Sequence, residues 1–113
     1  MNIEEQIQKI KTALSKIGPM RPGSLSKQYN VCGVSNCRCK DPHSPKKHGP
    51  YYQLSYVHRG KSTTRFIRKP EVGEIKKQLA NYKRFKKFTE DWVRLALVQA
   101  ENWLAQARAA ESK

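Results

Sequence analysis

Apolar residues recur at helical spacing near the start of the chain. The apolar positions are separated by four, three, four and three residues, and they are Ile3, Ile7, Ile10, Leu14 and Ile17. This spacing places them on one face of a helix, and Gly18 and Pro19 then stop the pattern. A helix of this length is marginal alone in water. The sequence therefore predicts a helix over residues 1–18 whose apolar face packs against something else.

Two later segments alternate between apolar and polar residues, as strands do. In residues 51–57, Tyr52, Leu54 and Tyr56 share one face, and alternation resumes over residues 61–68 after a turn signal at His58-Arg59-Gly60. β-Branched and aromatic residues dominate both segments, which predicts a β-hairpin. Residues 20–26 are interpreted as a turn or linker, and the Gly- and Pro-rich residues 29–50 as irregular structure.

The C-terminal part of the chain has a helical composition. Lys69-Pro70-Glu71 is typical of a helix start, and no strong breaker follows Gly73. Thr89 could cap a second helix, so one long helix and two shorter helices both remain open. The expected fold class is α+β: a zinc-stapled loop and hairpin (residues 21–70) between an N-terminal helix (1–18) and a C-terminal helical segment (71–113), all in one domain.

Charge narrows the functional classes. The 113 residues include 23 Lys and Arg against 9 Asp and Glu, a formal net charge of +14. Residues 21–70 alone carry eleven Lys and Arg and one Asp. An excess of this size indicates a polyanionic partner. We expect no membrane span, since no apolar stretch reaches about 18 residues, and the acidic N-terminus is unlike a secretory signal. A cytoplasmic protein is expected.

Three cysteines are clustered in the basic middle of the chain. The spacing is Cys32-x4-Cys37-x-Cys39-x8-His48, with His43 as a competing ligand. Thiolates and an imidazole suit tetrahedral Zn²⁺ and would close a structural site, and metal binding would stabilise a chain with a small core. A redox-active cysteine pair and unligated thiols are the alternatives. We predict one structural Zn²⁺.

The residues around this cluster resemble a family of short basic proteins from bacteria, archaea and their mobile elements, a domain of unknown function. The resemblance covers about residues 21–90 and rests on Gly23-Ser24-Leu25-Ser26-Lys27-x-Tyr29-x2-Cys32-Gly33-x3-Cys37-Arg38-Cys39 and on His48-Gly49-Pro50-Tyr51-Tyr52-x-Leu54-Ser55-Tyr56. The family pattern has a histidine before Gly-Pro-Tyr-Tyr. The resemblance therefore implies that His48, and not His43, is the fourth ligand.

An enzyme is not expected. The nine acidic residues are spread thinly, and no carboxylate pair is placed for metal-assisted phosphoryl chemistry. The chain also lacks a P-loop or a dinucleotide-binding glycine pattern.

A basic hairpin followed by a basic helix favours nucleic-acid binding, because cations neutralise phosphates and nearby hydroxyls reach sugars or bases. DNA is the first expected target and RNA the second. The protein would serve a mobile element or a larger nucleic-acid machine. The predicted contact residues are Arg59, Lys61, Arg65, Arg68, Lys76, Lys83 and Lys87.

The alternative function is protein interaction. The chain would be an inhibitor or accessory subunit that docks on a partner through its helices and basic patch. Trp92 and Trp103 support this reading, since exposed tryptophan often anchors interfaces. The apolar stripes of the two terminal segments also predict a homodimer, unless they pack on each other within one chain.

Overall fold

The chain has an α+β fold in a computed structural model that describes residues 1–30 and 48–111. The elements are α1 (Ile3–Ser15), β1 (Ser24–Asn30), β2 (His48–His58), β3 (Lys61–Ile67), a single 3₁₀ turn (Lys69–Glu71) and α2 (Val72–Glu111). The predicted N-terminal helix, hairpin and long C-terminal helix are confirmed.

The chain divides into two compact units. Residues 21–79, here called the sheet unit, contain the three strands and the first turns of α2. Residues 1–20 and 80–113, here called the helical unit, contain α1 and the rest of α2.

The sheet is antiparallel with β2 in its centre, in the order β1-β2-β3. Strands β2 and β3 are joined by a two-residue loop, since His58 pairs with Lys61. The two loop residues both have positive φ, 51° at Arg59 and 78° at Gly60. A type I′ turn needs positive φ at both positions, and its twist matches that of the strands it connects. The predicted turn is therefore confirmed.

Strand β1 was not expected from the sequence, where residues 20–26 were interpreted as a linker and residues 29–50 as irregular. In fact Ser24–Asn30 form a strand along β2, and β2 already begins at His48. Gly23 makes this pairing possible. Its φ is +127°, and a Cβ there would lie 2.6 Å from the carbonyl oxygen of Ser55. Only glycine allows the backbone to come this close to β2.

One face of the sheet carries the core of the sheet unit. Leu54, in the central strand, is fully buried and packs with Ile67 of β3 and Ile75 of α2. The half-buried residues packed around these three are Leu25, Tyr52, Tyr56, Val72 and Leu79. Burial of this apolar area holds α2 to the sheet within the unit.

Helix α1 begins with a side-chain cap. The Asn2 side chain accepts a hydrogen bond of 2.8 Å from the backbone N–H of Glu5, which satisfies one of the free donors of the first turn. The helix ends at Ser15, shortly before Gly18 and Pro19. Ile7 of the predicted apolar stripe is buried.

Within the helical unit α1 lies along α2. The Lys11 ammonium nitrogen is 5.2 Å from the ring centroid of Trp92, and the Asn81 side chain donates a 2.9 Å hydrogen bond to the carbonyl oxygen of Pro19. Since later residues of α1 meet earlier residues of α2, the two helices run antiparallel. Leu95 of α2 is buried.

Helix α2 is one continuous helix of 40 residues. Thr89, the candidate cap of a second helix, instead donates its hydroxyl proton to the carbonyl oxygen of Lys86 at 2.9 Å. A threonine satisfied in this way fits inside a helix. No helix in residues 1–30 and 48–111 is long and apolar enough to span a membrane.

Candidate nucleic-acid interface

The predicted zinc ligands lie almost entirely outside the described residues. Cys32, Cys37, Cys39 and the competing His43 all fall in residues 31–47. His48 is the first residue of β2, and the structure describes only its backbone. Among the described residues there is no group of three His, Cys, Asp or Glu that could hold a metal. The zinc site stays a prediction.

The structure does describe the two ends of the cysteine-containing segment. Asn30, the last residue of β1, pairs with His48 across the sheet. The register shifts between Gln28 and Asn30, as in a β-bulge, and bulges redirect strand ends. The two residues that flank positions 31–47 therefore lie opposite each other in the sheet.

The predicted nucleic-acid contacts divide between the two units. Five belong to the sheet unit and two, Lys83 and Lys87, to the helical unit. All seven are exposed. The five of the sheet unit are Arg59 in the turn, Lys61 and Arg65 in β3, Arg68 just after β3, and Lys76 in α2.

The strand register shows which of these cations share a face. Arg65 pairs with Leu54, so it emerges on the face that carries the core. Lys61 lies four residues before Arg65 in β3 and shares that face, because side chains alternate with a period of two. The cations of β3 are therefore at the margin of the core-bearing face.

The opposite face of the sheet has no charged residue among its described strand positions. It carries hydroxyl and amide side chains, and three large exposed residues, Tyr51, Val57 and Phe66. Phe66 is 70% exposed. Tyrosine rings can stack on unpaired bases, but of Tyr51, Tyr52 and Tyr56 only the first is on this open face. The other two are half-buried on the core face.

The cations of the sheet unit have few acidic neighbours. Its described residues include nine Lys and Arg but only Glu71 and Glu74 as acids. The Glu71 carboxylate accepts a 2.8 Å hydrogen bond from the backbone N–H of Arg68, which caps the 3₁₀ turn. No ion pair forms among the described residues of this unit. Among these residues the positive charge is therefore not compensated by ion pairs.

Sequence reasoning missed a cluster around Tyr56. Hydrogen bonds from Arg65 and Thr63 lower the pKa of the Tyr56 phenol, and the charges of Arg65 and Arg21 add to this effect. The guanidinium carbon of Arg21 is 5.7 Å from the Tyr56 ring centroid, within the range of a cation–π contact. Arg21 lies in the supposed linker, and no sequence pattern tied it to Tyr56.

An open cleft adjoins this cluster. Its volume is about 540 Å³, and its lining residues are Tyr56, His58, Lys61, Ser62, Thr63, Thr64 and Arg65. The lining thus combines a guanidinium, an ammonium group and hydroxyl donors, and none of the described residues that line it is a carboxylate. Such groups suit an anionic ligand.

The basic residues of the helical unit lie in a more balanced environment. Lys83, Arg84 and Lys87 are exposed on α2, at spacings that bring them close together on a helix surface. However, the ammonium nitrogen of Lys87 is 3.7 Å from a carboxylate oxygen of Asp91, one helical turn away. Part of this charge is therefore compensated within the chain.

Comparison with known proteins gives one match. The model of a family described as "Domain of unknown function (DUF6788)" matches residues 1–77. This range contains α1, the three strands and the first residues of α2. No curated protein and no solved structure matches the chain.

Proposed function

The chain belongs to the DUF6788 family, a domain of unknown function, and from the chemistry of its surface we propose that it is a small zinc-stabilised nucleic-acid-binding protein. DNA is the first target. The role that fits such a module is an accessory factor of a mobile element or of a larger nucleic-acid machine. No catalytic step is part of the proposal.

The uncompensated charge of the sheet unit carries this proposal. Its described cations outnumber its acids nine to two. Within the described part of this unit, none of these cations forms an ion pair with a carboxylate. Lone surface cations repel each other, and a polyanion relieves this repulsion while releasing its condensed counterions.

Four of the proposed contact residues of the sheet unit lie in the hairpin or directly after it. Arg59 is at the tip of the turn, Lys61 and Arg65 are on β3, and Arg68 follows it. A two-stranded antiparallel ribbon is narrow enough to enter the major groove of B-DNA. Phosphate contacts from these cations would fix its orientation without reading sequence.

Zinc would stabilise the same surface indirectly. The sequence evidence for a zinc site is the spacing of Cys32, Cys37, Cys39 and His48. Because Asn30 pairs with His48, a metal bound by these four residues would hold together the end of β1 and the start of β2. It would stabilise the hairpin without touching the nucleic acid.

The test is the salt dependence of binding to labelled duplex DNA, single-stranded DNA and RNA. Each phosphate contact contributes a slope of about 0.9 to the log–log plot of affinity against salt for duplex DNA. The double change Arg65→Ala, Arg68→Ala should lower that slope by about two and weaken binding. Arg94→Ala, an exposed change on α2 of the helical unit, is the matched control.

A second pair of changes locates the surface. If Lys83→Ala, Lys87→Ala abolishes binding while the hairpin double change has no effect, α2 is the contact surface and the hairpin is not. If neither pair changes affinity or slope, the charge serves a protein partner.

Protein interaction is the second candidate function, and α2 favours it. In the helical unit Val93, Leu97 and Trp103 are exposed, with Trp103 68% exposed. Large exposed apolar side chains at an interface contribute much of the binding energy. The α1 stripe is in part covered within the chain, because Ile7 is buried in the helical unit. A homodimer would therefore use α2, and light scattering at micromolar concentration tests it.

A further inference from the structure

The cleft beside Tyr56 has a chemistry that the general positive charge of the sheet unit does not explain. Cations placed only for solubility or long-range attraction extend into water separately. Here two strands bring a guanidinium, an ammonium group and four hydroxyl-bearing residues to one depression. Its lining residues are Tyr56, His58, Lys61, Ser62, Thr63, Thr64 and Arg65. The convergence results from the register, since Tyr56 pairs with Thr63 and His58 with Lys61.

Arg65 shares this cleft with Tyr56. Both side chains line it, and they are on the same face of the sheet, because Tyr56 pairs with Thr63 and Arg65 lies two residues beyond Thr63 in β3. A planar guanidinium presents a fork of N–H donors that matches two oxygens of a phosphate.

Arg21 adds a second guanidinium next to Tyr56. It does not line the cleft, but its guanidinium lies over the Tyr56 ring, and its backbone N–H donates to the carbonyl oxygen of Gln78 at 3.2 Å. Its Nε is shielded from solvent and has no hydrogen-bond acceptor among the described residues. Arg21 is thus anchored by its backbone and adds positive charge beside Tyr56.

No carboxylate competes for this place. The two acids in the described part of the sheet unit are Glu71 and Glu74, and neither lines the cleft. The lowered pKa of the Tyr56 phenol agrees with the geometry, because the same positive field that favours phenolate favours any bound oxyanion.

We propose that the cleft lined by Tyr56, Lys61 and Arg65 is an oxyanion site that seats one phosphate group. This proposal rests on the proposed function only for the identity of the natural ligand, which would be a backbone phosphate of the bound nucleic acid. A phosphate monoester of a small molecule has the same chemistry and is distinguished by the experiment.

The first measurement is an NMR titration of the full chain, labelled with ¹⁵N-arginine, with inorganic phosphate at constant ionic strength. Arg21→Gln and Arg65→Gln assign the two Nε–H signals. We expect the Arg65 signal to shift along a saturating curve, with a smaller shift at Arg21 and none at Arg94. Equal, non-saturating shifts at all arginines would mean that phosphate acts only as a screening ion, and would overturn the proposal.

The second measurement uses the tyrosine itself. The difference between the ultraviolet pH titrations of the wild type and Tyr56→Phe gives the phenol pKa of Tyr56. A phosphate bound at Arg65 offsets part of the positive charge, so saturating phosphate should raise this pKa towards its ordinary value, while sodium chloride of equal ionic strength should raise it less. Equal effects of the two salts would contradict the site. Because Tyr56→Phe removes only a hydroxyl, this readout remains usable if Arg21→Gln does not fold.

A competition experiment separates the site from the proposed function. Removing a hydrogen bond to a charged group costs about ten- to hundredfold in affinity. Arg65→Gln should therefore weaken phosphate binding by at least about tenfold, and Arg94→Gln should leave it unchanged. If phosphate also displaces labelled duplex DNA more strongly than chloride does, the cleft holds a nucleic-acid phosphate. If phosphate saturates the cleft but no nucleic acid binds the chain, the oxyanion site stands with a small phosphate monoester as its ligand, and the proposed function fails. If DNA binds but Arg65→Gln changes only the salt slope and phosphate does not saturate, the function stands and the site is wrong.

Discussion

The sheet unit and the helical unit contain the same number of described cations but differ in how these are compensated. Each has nine Lys and Arg, yet the sheet unit has two acids and the helical unit has six. In the helical unit Lys87 is paired with Asp91, as on an ordinary solvated helix. The comparison teaches that the same number of cations leaves different net charges on two parts of one chain, because the number of nearby carboxylates differs.

Aromatic residues also differ between the units, and this makes them separately observable. Four of the five tyrosines, at positions 29, 51, 52 and 56, are in the sheet unit, and both tryptophans are in the helical unit. Near-ultraviolet tyrosine signals therefore report mainly on the sheet unit, and tryptophan fluorescence reports on the helical unit.

Zinc removal should give the largest difference between the units. Structural zinc sites contribute on the order of 10 kcal/mol to folding in zinc-finger peptides. In the presence of a chelator, we therefore expect the thermal transition seen by tyrosine ellipticity to occur at a lower temperature than the transition seen by tryptophan fluorescence. Metal analysis of untagged protein should find one zinc per chain. Absence of zinc, or a Cys37→Ser chain as stable as the wild type, would refute the site.

The next largest effect is expected in the core of the sheet unit. Leu54→Ala removes a fully buried side chain packed against Ile67 and Ile75, and should lower the free energy of unfolding by about 2–5 kcal/mol. Leu97→Ala, at a position 60% exposed on α2, is the control and should change it by no more than about 0.5 kcal/mol. Denaturant unfolding measures both. Equal losses would mean that Leu97 is covered in solution, as in a dimer.

Glycine substitutions test the added strand. Gly23→Ala places a Cβ 2.6 Å from the Ser55 carbonyl at a φ of +127° and should destabilise the protein by about 1–3 kcal/mol. Gly73→Ala, near the start of α2, meets no atom within 4 Å and should be neutral or stabilising by about 1 kcal/mol. A Gly23→Ala chain with unchanged thermal unfolding would show that β1 does not approach β2 as described.

The smallest effect is a pH dependence confined to Tyr56. Its pKa is lowered from the ordinary 10.0 by hydrogen bonds from Arg65 and Thr63, so the folded state favours phenolate. The resulting stabilisation is fully present above the unfolded-state pKa and is lost as the pH falls through the folded-state pKa. Wild type should therefore gain stability relative to Tyr56→Phe as the pH rises towards the ordinary tyrosine pKa of about 10 in urea unfolding. A constant difference between the two proteins would contradict the contact.

The sequence predicted the elements that depend on local patterns. The α1 stripe and the β2–β3 hairpin were read correctly because alternation and turn chemistry act between near neighbours. Strand β1 was missed because its first residues, Ser24 and Ser26, are weak strand formers, and Pro22 and Gly23 precede them as in a linker. Its pairing with β2 is a long-range contact that residue types near Ser24 do not encode.

The candidate site was found only in part for the same reason. Arg65 and Lys61 were identified from charge on the hairpin, but their place at the margin of the core face follows from the pairing of Arg65 with Leu54. Arg21 was not identified at all, because its contact with Tyr56 exists only once β1 has joined the sheet. The predicted metal ligands Cys32, Cys37 and Cys39 lie outside the described residues and stay a prediction.

The two-residue turn at Arg59 and Gly60 has a consequence for the order of folding. Strands β2 and β3 need to close only this short loop, whereas β1 reaches β2 only after residues 31–47 are closed. Loop closure costs more entropy as the loop lengthens, and hairpins form within about 1–10 μs. We expect the hairpin to form early and docking of β1 to be the slower step. A metal bound by Cys32, Cys37, Cys39 and His48 would then speed the docking of β1. Refolding should therefore be faster with zinc than without it at the same denaturant concentration.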